Sequence, residues 1–104
     1  MSDIARPGTP LCVVSLSYKV PVEQVDAHMP EHGDWLRSLF GEELIVVCGR
    51  RVPRTGGIIV IRGHKAEVEA LAQTDPFVTR GIAEIAVEEF VANMAHPALA
   101  DLLA

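Results

Sequence analysis

Residues 43–63 read ELIVVCGRRVPRTGGIIVIRG. Two apolar, β-branched runs, ELIVVCG (43–49) and IIVIRG (58–63), flank RRVPRTGG (50–57), a segment rich in turn residues. The pattern predicts two strands in succession with no helix between them. The segments on either side then decide the architecture.

Upstream, LCVVSLSY (11–18) is apolar and β-branched enough for a strand. VPVEQVDAHMPEHGDWLRSLFG (20–41) follows, with Val22, Val25, Met29, Leu36 and Leu39 at helical spacing and Gly41 as a stop. Downstream, HKAEVEALAQT (64–74) sets Val68, Leu71 and Ala72 on one side of a short helix. AEIAVEEFVA (83–92) alternates Ile85 and Val87 with Glu84 and Glu88, as a strand does. The order is β-α-β-β-α-β. That is an α+β, ferredoxin-like arrangement, with a four-stranded antiparallel sheet and two helices on one face. A single domain is expected over 1–104, with a core at 11–92 and a tail at 93–104 that ends in the apolar HPALADLLA.

Strands two and three are nearly continuous apolar runs, which suits a sheet covered on both faces. Two helices cover only one. The other face is therefore expected to meet a second copy in a homodimer, with the tail packing across the partner.

Nine basic against fourteen acidic side chains, a net charge of −5, argue against nucleic acid as a partner. No apolar run approaches the roughly 20 residues that span a bilayer, so no membrane partner is expected. The N-terminus MSDIARPGTP lacks the basic start and apolar centre of a signal peptide. With Cys12 and Cys48 inside apolar strand-like runs, these features predict buried free thiols and a cytoplasmic protein.

Two residues stand out for chemistry. His32 falls inside the apolar stripe of the first helix, and His28 at its edge. Pro30 either kinks that helix or begins a restarted one. In the second case His32 lies in the first turn, where the positive end of the helix dipole favours a neutral imidazole, the form of a general base. The competing reading is a half-buried histidine bonded to backbone. Asp75, before Pro76, reads as the N-cap of the turn PFVTRG. A cap is also a rigid place to hold a carboxylate. Both helices share a sheet face, so Asp75 is within reach of His32 and able to orient its ring. HMPEH (28–32) matches a zinc-protease pattern formally, but Pro30 interrupts the continuous helix that two metal-binding histidines four apart require, and no metal is expected. Arg50, Arg51 and Arg54 form either a solvated loop or an anion clamp. Trp35 reads as packing, and Ser15, Ser17 and Tyr18 as ordinary strand residues.

The chain resembles the YCII-related (YciI-like) family of small dimeric α+β barrel proteins. The resemblance is carried by His32 in EHGDWL, by CGRRVPRTGG, by Asp75-Pro76-Phe77 after a short helix, and by AEIAVEEF. It implies a ferredoxin-like protomer, a dimer and a His32–Asp75 pair. One member type looks like a cofactor-free dehydrochlorinase acting on a hydroxylated aromatic ring. The chain departs from the family pattern where Cys48-Gly49-Arg50 stands for Ser-Gly-Pro, and where Gly33 stands for an arginine.

Two functions are expected to compete. One is a cofactor-independent lyase or isomerase acting on a small anionic organic molecule, a hydroxylated aromatic or cyclic acid. In it His32 and Asp75 are catalytic, and Arg50, Arg54, Gly49 and Phe77 bind substrate. The other is a non-catalytic dimeric module that binds a small molecule or a protein. The distance between the His32 ring and the Asp75 carboxylate separates them.

Overall fold

In the computed structural model, which describes residues 3–104, the chain runs β1 (Thr9–Tyr18), α1 (Val22–Ala27), α2 (Met29–Gly41), β2 (Ile45–Arg50), β3 (Gly56–Arg62), α3 (Lys65–Ala72), α4 (Pro76–Thr79) and β4 (Ala83–Ala92). A short 3-10 turn, Pro97–Leu99, follows. The four strands form one sheet in the order β2-β3-β1-β4, with every neighbouring pair antiparallel. This is the ferredoxin-like order that the sequence predicts.

Alternation along the strands sorts the side chains. Register pairs Val14 with Ile59 on one side and Val87 on the other, and Leu16 with Ile85. These residues join Cys12, Ile45 and Ile61 in one core, closed from above by Val25 of α1, Leu39 of α2, Val68 and Ala72 of α3 and Phe77 of α4. Glu84 and Glu88 pair with Ser17 and Val13, in phase with the opposite face. A bulge between Ile45 and Val47 lets Ile45 and Cys48 both pack with the helices while Val46 joins the far side.

The first helical segment is two helices, as the restarted-helix alternative requires. Pro30 is the cause. It has no N–H to give and its ring crowds the carbonyl four residues back, so α1 ends at Ala27 and Pro30 sits in the opening turn of α2. α2 ends at Gly41, yet the left-handed residue that turns the chain is Glu43, with φ 59°. Its neighbour Leu44 donates its N–H to Leu39 O at 3.0 Å.

The second sheet face differs from the expectation. The tail does not wait for a partner: it folds onto its own sheet. Leu103 is buried against Leu11 and Ala92, with Val46, Val60, Ala95 and Leu99 packed around them. Thr9 Oγ1 donates to the Leu103 carbonyl, and Ala5 and Ala95 bridge the chain ends. The link from β4 to the 3-10 turn is short, so the tail's leucines reach the nearest apolar strands of their own chain. Val47 and Phe90 remain 57% and 43% exposed. Among the described residues no helix is long and apolar enough to cross a membrane.

Candidate active site

Asp75 is built by its local sequence. The proline after it holds its backbone extended, at φ −61° and ψ 126°. Its Oδ1 accepts the Phe77 N–H at 2.9 Å, capping α4. Only 1% of the residue is exposed. The cap reading of the sequence is therefore correct.

His32 lies in the first turn of α2 and is buried. Its Nδ1 is 2.8 Å from the same Asp75 Oδ1. A carboxylate oxygen only accepts, so Nδ1 is the donor in this contact. In the neutral imidazole the lone pair then sits on Nε2. The imidazole stacks on the Phe77 ring with centroids 3.9 Å apart and planes 3° from parallel. Trp35 stacks more loosely at 6.1 Å, and donates its indole N–H to Thr74 Oγ1 at 2.9 Å. The ring is thus fixed in plane by a hydrogen bond and across the plane by an aromatic face. Asp75 Oδ2 is buried with no hydrogen-bond partner among the described residues.

Outside the core a further link ties the two helices that carry the pair. Arg80, just after α4, donates Nε to Glu31 Oε1 at 2.6 Å and Nη2 to Oε2 at 3.0 Å. His28 Nδ1 meets Glu31 Oε1 at 2.6 Å. His28 and His32 therefore face different carboxylates, Glu31 and Asp75. The Arg80 guanidinium, and after it His28, hold the Glu31 carboxyl below its ordinary value. Arg54 does the same for Asp26.

The sign of the resulting pH dependence follows. A carboxyl lowered by folding contributes stability that is fully present above its unfolded value, about 4. The contribution is lost as pH falls through the lower folded value. The melting temperature is expected to drop on acidification below about pH 4, and to drop less in Glu31→Gln. An acid branch that Glu31→Gln leaves unchanged contradicts the link.

The imidazole opens on a cavity of about 170 Å³ between the sheet and α2. Phe77, Leu16, Leu36 and Ile59 give it apolar walls, and Gly49, Gly57 and Arg50 border it on the side of β2 and β3. A dry cavity of about 150 Å³ is large enough for benzene, so this one fits a single six-membered ring. Cys48 lines it too, half-buried rather than buried as expected, and burial pushes its thiol above the ordinary value.

Four of the expected site residues, Gly49, Arg50, Phe77 and His32, line the cavity, and Asp75 stands behind His32. Arg54 does not line it. Its Nη2 is bound to Asp26 Oδ1 at 2.5 Å. Arg51 is likewise engaged, donating to Ser17 Oγ at 3.1 Å. Sequence reasoning passed over Tyr18, which lines the cavity. The signal was available, since Tyr18 continues the in-facing phase of Cys12, Val14 and Leu16.

The YCII-related domain family matches residues 11–91. No curated protein matches the sequence. Among solved structures, the chain is similar to 5-chloro-2-hydroxyhydroquinone dehydrochlorinase from Burkholderia phenoliruptrix in complex with 2,5-dihydroxybenzoquinone. The TM-score is 0.64 at 21% identity, over 75% of this chain and 90% of that one. At that identity the likeness establishes the fold.

Proposed function

The chain belongs to the YCII-related domain family, and from that premise we propose that it is a cofactor-independent enzyme performing elimination or isomerisation on a small hydroxylated aromatic or cyclic acid. One observation carries the reading: a histidine that lines a cavity sized for one ring, its Nδ1 2.8 Å from a carboxylate that is 1% exposed and its other nitrogen without a hydrogen-bond partner among the described residues. His32 Nε2 takes a proton from a ring O–H or C–H. The electron pair released forms a new C=O or C=C bond. In elimination it expels an anion from the ring, so that the proton and the anion are the co-products. In isomerisation the imidazolium returns the proton to another ring atom. Asp75 orients the imidazole and stabilises the imidazolium. Phe77 and the apolar walls hold the ring, Gly49 admits it close to backbone, and Arg50 pairs with its anion. Arg54 contributes from behind the wall.

The ligand class is supported by the dehydrochlorinase neighbour, whose complex holds a dihydroxybenzoquinone. The test is a turnover screen of chlorinated hydroquinones, phenolic acids and cyclic acids, repeated with His32→Ala. A substrate turned over equally well by both proteins contradicts the reading.

The protein is proposed to act as a cytoplasmic homodimer. Its two cysteines are free, and Val47 and Phe90 stay exposed on the sheet face away from the helices. A dimer mass at micromolar concentration in sedimentation is the expected result. A monomer at every concentration contradicts it.

A further inference from the structure

Tyr18 closes β1 on the side of the sheet that faces the helices and packs against the main core. It lines the cavity together with His32. Its ring meets Phe77 at 87°, with centroids 6.1 Å apart, while the imidazole stacks on the same phenylalanine. Phe77 thus sets both polar side chains at one cavity.

The Tyr18 N–H donates to Thr55 O at 2.9 Å, which holds the β2–β3 loop beside the phenol. Arg54, the residue before Thr55, is anchored to Asp26 and interacts with the Tyr18 hydroxyl. A guanidinium has donors and no acceptor. Beside a phenol it cannot take the hydroxyl hydrogen of Tyr18, which needs another acceptor. Among the described residues no acceptor takes it. The result is an unspent O–H donor on a residue that lines the cavity with His32, with a cation fixed nearby.

We infer that Tyr18 is a second ligand-contacting residue, donating its O–H to the oxyanion of a phenolic ring held at His32, and that Arg54 is a positioning residue acting through Tyr18. The inference rests on the proposed reading of the cavity as a site for a hydroxylated ring. It also explains how an arginine outside the cavity wall bears on an anion inside it.

The test uses 4-nitrophenol, whose phenolate absorbs in the visible, titrated against the full chain. Hydrogen bonds to charged groups are the stronger kind, so Tyr18→Phe is expected to weaken phenolate binding about tenfold or more. The ring is retained, and circular dichroism checks that the fold is. Arg54→Gln is expected to weaken binding in the parent protein. In the Tyr18→Phe background it is expected to change binding by less than about twofold, because the group it acts through is gone.

Binding by Tyr18→Phe equal to that of the parent overturns the inference. So does an Arg54→Gln loss of the same factor in both backgrounds. His32→Asn separates this failure from that of the underlying reading. A parent protein that ignores 4-nitrophenol, or binds it equally well without His32, overturns the cavity reading and this inference with it. A parent that binds it through His32 but without Tyr18 overturns only the inference.

Discussion

In His32→Ala, turnover of any accepted substrate is expected to fall about 10²–10⁴-fold, the usual contribution of a positioned general base. The loss belongs in kcat, since the substitution leaves the apolar walls, Phe77 and Arg50 in place to bind the ring. Asp75→Asn is the more informative partner. Asparagine keeps a carbonyl to accept the Phe77 N–H, so α4 stays capped, but it cannot stabilise the imidazolium as a carboxylate does. Turnover is expected to fall without loss of fold. Asp75→Ala mixes two effects and is the poorer test. It removes a cap, at about 1 kcal/mol, and leaves the His32 and Phe77 donors unpaired in a buried place. Unchanged kcat in both His32→Ala and Asp75→Asn, on every substrate the protein accepts, makes Asp75 only the cap of α4. The non-catalytic binding module then becomes the better account.

Gly56→Ala is expected to leave no folded protein. A Cβ at position 56 falls 1.8 Å from the Leu16 carbonyl oxygen and 2.8 Å from its carbon. These are backbone atoms of the central strand, and β1 and β3 pair at Ser17 and Gly56. Nothing flexible can give way, so the strands have to part where the cavity begins. The cost is of the kind that exceeds about 4–5 kcal/mol, against a total stability of about 5–15 kcal/mol for a domain. Gly41→Ala is the control. It lies at the end of α2 with nothing within 4 Å of the added carbon, and is expected to be neutral or stabilising by about 0.4–1 kcal/mol. The check is urea denaturation of both variants beside the parent. A cooperative Gly56→Ala transition at the parent midpoint contradicts the steric argument.

The same two glycines mark how far the sequence could be read. The order of strands and helices was legible because it depends on local pattern: β-branched runs in β2 and β3, and Ile85 and Val87 alternating with Glu84 and Glu88 in β4. Gly56 and Gly57 read locally as loop, yet they belong to β3, since what demands glycine at 56 is a strand forty residues away in sequence. Asp75 was legible as a cap from the proline beside it. Its meeting with His32 was legible only as a consequence of topology, both helices lying on one sheet face, and the 2.8 Å contact required the packed structure. Arg54 failed as a direct clamp for the same reason in reverse. Its partner Asp26 sits in another element, and no local pattern announces an ion pair across 28 residues. The tail's apolar residues were recognised, but which sheet they cover depends on how the chain turns after β4.

The central claim is that the fold delivers a bare imidazole nitrogen to a ring-sized cavity. A long-range proton–nitrogen correlation spectrum of His32 tests it most directly, recorded at a pH where the ring is neutral, before and after adding 4-nitrophenol. The predicted result is a proton on Nδ1, none on Nε2, and an Nε2 signal that moves toward the protonated type when the phenol binds. A proton resident on Nε2, or an Nε2 that does not respond to the phenol, contradicts the account.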